Sequence, residues 1–119
     1  MGGFTARRGA DMQWERNVLG STVTRLHTDG AMLTIVNGCA GDVVPAHGYS
    51  KGSVTYVVKG RISVDGEVLE AGDAGTYVAP GGYFTVRFLE DATYVVARAS
   101  HDEITVPDIG ERAAHHLDA

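Results

Sequence analysis

A single cysteine, Cys39, is all the thiol chemistry this 119-residue chain contains. No intrachain disulfide can form, and nothing in the cysteine count demands an oxidising compartment. No activating group adjoins Cys39, so it reads as a half-buried small hydrophobe rather than a nucleophile. Long apolar runs are missing too: none approaches the roughly 18 residues a membrane-spanning helix needs. The opening MGGFTARRGA lacks the apolar centre of a secretory signal, and the expected location is cytoplasmic. Basic residues are outnumbered, 10 Lys and Arg against 15 Asp and Glu, for a formal net charge of -5. With no dense Lys/Arg cluster, a nucleic-acid backbone and an anionic membrane are both poor partners, and a small molecule is the expected one.

What is present in quantity is glycine, 16 residues, most of them lying between short Val-, Thr- and Tyr-rich runs. Tight turns joining strands produce that texture. Ser21 to Thr28 and Ala31 to Asn37 read as strands around an Asp29-Gly30 hairpin turn. Arg61 to Val64 and Glu67 to Leu69 flank a second one at Asp65-Gly66. Ser53 to Lys59, the GTYV stretch, Tyr83 to Leu89 and Thr93 to Ala99 complete seven or eight short strands, the number and spacing of a sandwich or closed barrel. The length permits one domain with a modest core. We divide it into an N-terminal arm (1–17), an all-β barrel (18–106) and a C-terminal tail (107–119) whose alanines favour a short helix. His115 and His116 in that tail are adjacent, so on a helix they point apart and do not read as a metal site.

The stretch GDVVPAHGYSKGSVTYVVKG carries the functional signal. Gly41, His47 and Gly60 stand at the spacings of G-x5-H-x-H-x3,4-E-x6-G, with Tyr49 in the second histidine position and Ser53 in the glutamate position. Further on, AGDAGTYVAPGGYFTVRF is similar to G-x5-P-x-G-x2-H-x3-N in either of two registers. Anchored on Pro80, the histidine position falls on Thr85; anchored on Gly72, it falls on Tyr83. These two motifs belong to the cupin superfamily, which the chain resembles from about Val18 to Ala99. The resemblance implies a single-domain jelly-roll barrel, the double-stranded β-helix. Strand alternation places His47 with Tyr49 on one face, Ser53 with Thr55 and Val57 on another, and Tyr83, Thr85 and Arg87 together, all expected to face the barrel interior.

Ordinary cupins hold an iron, manganese, nickel or similar ion through three histidines and a glutamate, of which this chain retains one. A phenol or a serine hydroxyl is a poor substitute for imidazole, so no metal or other cofactor is expected. The alternative metal site would join His47 to a phenolate from Tyr49 or Tyr83. His27 and His101 read as surface or strand-edge residues.

A pocket with one imidazole and one or two phenols contains the parts for proton transfer. His47, Tyr49 and Tyr83 are the candidate catalytic residues; Ser53, Thr55, Thr85 and Arg87 are candidate substrate contacts, Arg87 for a carboxylate or enolate. Metal-free sugar epimerases that resemble cupins in fold pair a histidine base with a tyrosine acid and put a carboxylate behind the histidine. Asp42 is the carboxylate nearest His47 in sequence. The expected activity is isomerisation, elimination or cyclisation of a small oxygenated metabolite. The alternatives are a non-catalytic binding cupin and a metal-dependent dioxygenase with atypical ligands. Phe84, Val86 and Phe88, on the opposite face to Tyr83, are too apolar for solvent and must pack on another sheet or another subunit, which makes a homodimer an expectation.

Overall fold

The computed structural model describes residues 3–16, 21–79 and 81–107. Among them eleven strands form two antiparallel sheets packed face to face, the jelly-roll arrangement of a cupin. The strands are β1 (Glu15–Arg16), β2 (Thr22–His27), β3 (Met32–Gly38), β4 (Val43–Tyr49), β5 (Gly52–Lys59) and β6 (Arg61–Val64). They continue with β7 (Glu67–Glu70), β8 (Ala74–Val78), β9 (Phe84–Phe88), β10 (Ala92–Arg98) and β11 (Ile104–Thr105). One sheet runs β1-β2-β3-β10-β5-β8 and the other β11-β4-β9-β6-β7. No helix among the described residues is long and apolar enough to cross a membrane.

Both sequence-read hairpins form. At the second, Asp65 and Gly66 both have positive φ, 49° and 88°, the pair of left-handed conformations that a two-residue turn matched to strand twist requires. The first joins β2 to β3 in register from Thr22↔Asn37 to His27↔Met32.

Alternation decides which side chains meet between the sheets. Val23, Val36, Val57, Tyr94 and Val96 from one sheet pack against Val44, Ile62, Val86 and Phe88 from the other, and all are buried. Fully burying a side chain of this size stabilises by roughly 1.5–3 kcal/mol, so this layer fixes the facing of every strand that contributes to it.

That layer corrects the reading of β9. Phe84, Val86 and Phe88 turn inward against the facing sheet, while Tyr83, Thr85 and Arg87 lie on the outer side, Tyr83 with 48% of its surface exposed. Apolar burial outweighed motif spacing in setting the parity of this strand. The face on which the homodimer expectation rested is therefore covered within the chain. Exposed apolar residues occur elsewhere, with Val54, Tyr56 and Val58 on the outer face of β5.

Two smaller points also differ. Cys39 is exposed rather than half-buried, and the stretch read only as an arm holds a strand, β1, paired with β2 of the same chain. The helix expected after Pro107, with His115 and His116, and the Pro80 anchor lie outside the described residues.

Candidate active site

β4 has no clean strand signature because Pro45 interrupts it, and the interruption is what builds the site. Pairing with β9 runs Val43↔Arg87 and Val44↔Val86, then resumes at His47↔Phe84. Two residues, Pro45 and Ala46, oppose the single residue Thr85, which is a β-bulge. The extra residue shifts the alternation, so Val44 before the bulge and His47 and Tyr49 after it all face the interior. It also leaves the Pro45 carbonyl within reach of the His47 ring, 2.8 Å from Nδ1.

That contact assigns the tautomer. A carbonyl only accepts, so Nδ1 must carry the proton and Nε2 is left with a lone pair. Tyr49 places its hydroxyl 3.3 Å from Nε2 and donates to it. His47 is 5% exposed and its pKa is lowered from 6.5, chiefly because burial penalises the imidazolium. The Pro45 hydrogen bond opposes this effect and the Arg98 charge adds to it. The ring is therefore neutral at pH 7, with its basic nitrogen directed at Tyr49. Burial also pushes the Tyr49 phenol up to about 12, so it keeps its proton and serves as a hydrogen-bond donor.

Both side chains border a cavity of about 320 Å³ between the sheets. Ser53 and Thr55 line it as the sequence indicates, along with Tyr77, Phe84, Tyr94, Val86, Val96 and, toward the β6–β7 hairpin, Ile62, Val64, Leu69 and Glu67. Tyr83, Thr85 and Arg87 do not.

Tyr77 is the site residue that sequence reading missed. Its hydroxyl donates to the Gly82 carbonyl at 2.7 Å and accepts from the Gly81 N–H at 3.2 Å, while its ring meets Tyr49 edge-on at 5.7 Å. Gly48 makes room for this arrangement: a Cβ there would lie 2.5 Å from the Gly82 oxygen and 2.7 Å from the Tyr77 hydroxyl.

Behind the pair lies a second unforeseen group. The Arg98 guanidinium sits 5.2 Å over the Tyr49 ring and donates to the Asp102 carbonyl at 3.1 Å, with the Asp102 carboxylate 3.7 Å away. That carboxylate accepts at 2.7 Å from both the Ser50 hydroxyl and the Lys51 N–H. Alternation along β10, where Ala92, Tyr94, Val96 and Arg98 are all buried, was the available signal: an arginine in phase with core residues must find a carboxylate. Asp42 instead closes a turn by accepting from the Cys39 N–H at 2.8 Å; a backbone carbonyl, rather than a carboxylate, orients His47. His27 and His101 are exposed and stand apart from the cavity.

The donor set does not fit a divalent ion. His47 supplies one nitrogen, Tyr49 a phenol reluctant to ionise and Ser53 a neutral hydroxyl, and the inward residue beside His47 on β9 is Phe84, with ring centroids 4.5 Å apart. Among the described residues no group of three or more His, Cys, Asp or Glu converges, whereas such ions take three or four protein donors.

No family model matches the sequence, and no curated protein matches it. Solved structures do. An RmlC-like cupin from Shewanella frigidimarina is 22% identical, with a TM-score of 0.70 over 78% of this chain and 87% of that one. KdgF from Halomonas is 25% identical, with a TM-score of 0.67 over 77% and 91%. The polyketide cyclase RemF from Streptomyces resistomycificus is 14% identical, with a TM-score of 0.74 over 98% and 94%. Two facing antiparallel sheets, an interior histidine at the first motif and these likenesses together make the chain a cupin by fold.

Proposed function

We propose that this cupin is a metal-independent acid–base enzyme that isomerises, eliminates from or cyclises a small oxygenated metabolite. The observation that carries the reading is the His47 ring, held by Pro45 with its Nε2 lone pair at the cavity wall beside a protonated phenol. Nε2 takes a proton from a carbon next to a substrate carbonyl. The electrons of that C–H bond move onto the carbonyl oxygen, and the Tyr49 hydroxyl, turning from Nε2, donates a hydrogen bond to that oxygen. The imidazolium then returns its proton to another carbon or to a departing hydroxyl, completing an isomerisation or an elimination; in a cyclisation the enolate carbon attacks a second carbonyl, whose π electrons move onto its oxygen, and that oxygen takes the imidazolium proton. Tyr49 stays protonated throughout, as its raised pKa favours. RemF, whose fold this chain shares over nearly its whole length, is a polyketide cyclase, and cyclisation is one of the outcomes proposed.

Exchange of the α-protons of 2-tetralone in D₂O tests the reading without knowledge of the natural substrate. Chelator-treated protein should accelerate exchange over buffer, His47→Gln should lose most of the acceleration, a factor on the order of 10²–10⁴ for a general base, and Tyr49→Phe should lose part. Equal exchange by wild type and H47Q would end the enzymatic proposal in favour of a binding cupin, in which His47→Ala alters affinity alone.

A further inference from the structure

The cavity described above has walls that discriminate by charge. Among the described residues lining it there is no lysine or arginine, and Glu67 at the rim is the one charged side chain. The remaining lining is aliphatic and aromatic apart from His47, the Ser53, Thr55 and Thr76 hydroxyls and the tyrosine hydroxyls. Of those hydroxyls, Tyr77 has committed its proton to Gly82, and Tyr49, which rests on His47 and turns to the substrate oxygen in the reaction, offers a neutral donor and no counter-charge. His47 is neutral. The nearest buried cation, Arg98, lies across the Tyr49 ring and is neutralised by Asp102.

An anionic ligand entering this space would shed water without finding a counter-charge, and an ion in an apolar environment is costly unless paired. A neutral ring system suffers no such penalty and gains the apolar contact. The volume, about 320 Å³, lies at the small end of ligand pockets and suits a skeleton of one or two rings. The residues His47, Tyr49, Tyr77, Phe84 and Tyr94 present faces and edges to such a ring.

We propose that the substrate is an uncharged, largely apolar ring compound carrying carbonyl or phenolic oxygens, and that phosphorylated and carboxylated ligands are rejected. This rests on the cavity being the functional site and extends the acid–base reading by naming what enters it; sugar phosphates, nucleotide-linked sugars and uronic acids are thereby excluded as substrates.

Three probes with one skeleton and different charge test the assignment: 2-naphthol, 2-naphthoate and 2-naphthyl phosphate, titrated at pH 7 by ligand fluorescence polarisation against wild type, His47→Gln and Glu67→Gln. The naphthol should bind wild type, and the two anions should bind at least roughly tenfold more weakly. H47Q should keep that order, because the walls set it, which separates this test from the test of catalysis. E67Q should narrow the gap without closing it. Leu69→Arg, which adds a cation to the wall, should raise affinity for the anions relative to the naphthol. Anions that bind wild type as tightly as the naphthol, or no binding by any of the three, would overturn the proposal.

Discussion

The His47–Tyr49 pair separates two unlike spaces. In front is the cavity of about 320 Å³, apolar and, among the described residues, bordered by a single carboxylate; behind is a void of about 50 Å³ next to Arg25 and Arg98. Charge is concentrated at the back, where Arg98 is matched by Asp102, and kept off the front, where a ligand would meet it. Under the proposed function the two sides have separate tasks: the back holds Tyr49 in place and biases His47 toward neutrality, and the front would select and react. Uncoupling the two sides is the way to test that division.

The largest effect should come from Asp102→Ala. It leaves the Arg98 guanidinium, 3% exposed, buried without its carboxylate and removes the acceptor of the Ser50 and Lys51 donors. A loss of about 3–5 kcal/mol is expected, read by urea denaturation, and a loss below about 1 kcal/mol would deny the back its structural part. Next is Gly48→Ala, whose methyl meets the Gly82 carbonyl and the Tyr77 hydroxyl. Relieving that overlap should cost about 1–3 kcal/mol and displace the Tyr77 ring from the cavity wall, visible in its NMR contacts to Tyr49.

How far these features were legible in the sequence depended on which force set each strand. The hairpins at Asp29-Gly30 and Asp65-Gly66 were legible because turn chemistry is local, and the facing of β5 was legible because its Ser53, Thr55, Val57 alternation is unbroken. For β9 the motif spacing and the apolar alternation disagreed, and burial of Phe84, Val86 and Phe88 decided the outcome. The bulge at Pro45 was not readable, since it depends on the pairing of β4 with a strand some forty residues on. Tyr77 and Asp102 were hidden for a similar reason, their partners being fixed by topology or by a loop, whereas burial of Arg98 was legible from the alternation along β10.

Intermediate effects concern pH. His47 has a folded pKa below its unfolded value of 6.5, so between those two values the unfolded chain binds more protons and stability rises with pH. That contribution is complete above about 6.5 and is lost as pH falls toward the folded pKa; H47Q should flatten this slope in a pH series of denaturation midpoints. Tyr49 acts with the opposite sign. Its folded pKa of about 12 exceeds the ordinary 10.0, so its contribution is whole below pH 10 and is lost as pH rises through 12, a loss that Tyr49→Phe should abolish.

The smallest expected change, and the most selective one, comes from Arg98→Met with Asp102→Asn, which removes both charges of the back together. The Arg98 charge lowers the His47 pKa as the third of its causes, so the double variant should raise it slightly. Tyr49 should move little, because Arg98 pulls its pKa down and Asp102 pushes it up.

The nitrogen-15 spectrum of the His47 ring, followed through a pH titration in chelator-treated protein, tests the central claim most directly. The account predicts a proton on Nδ1, a bare Nε2 at neutral pH and a midpoint below 6.5. A proton on Nε2, or a midpoint above 6.5, would contradict it.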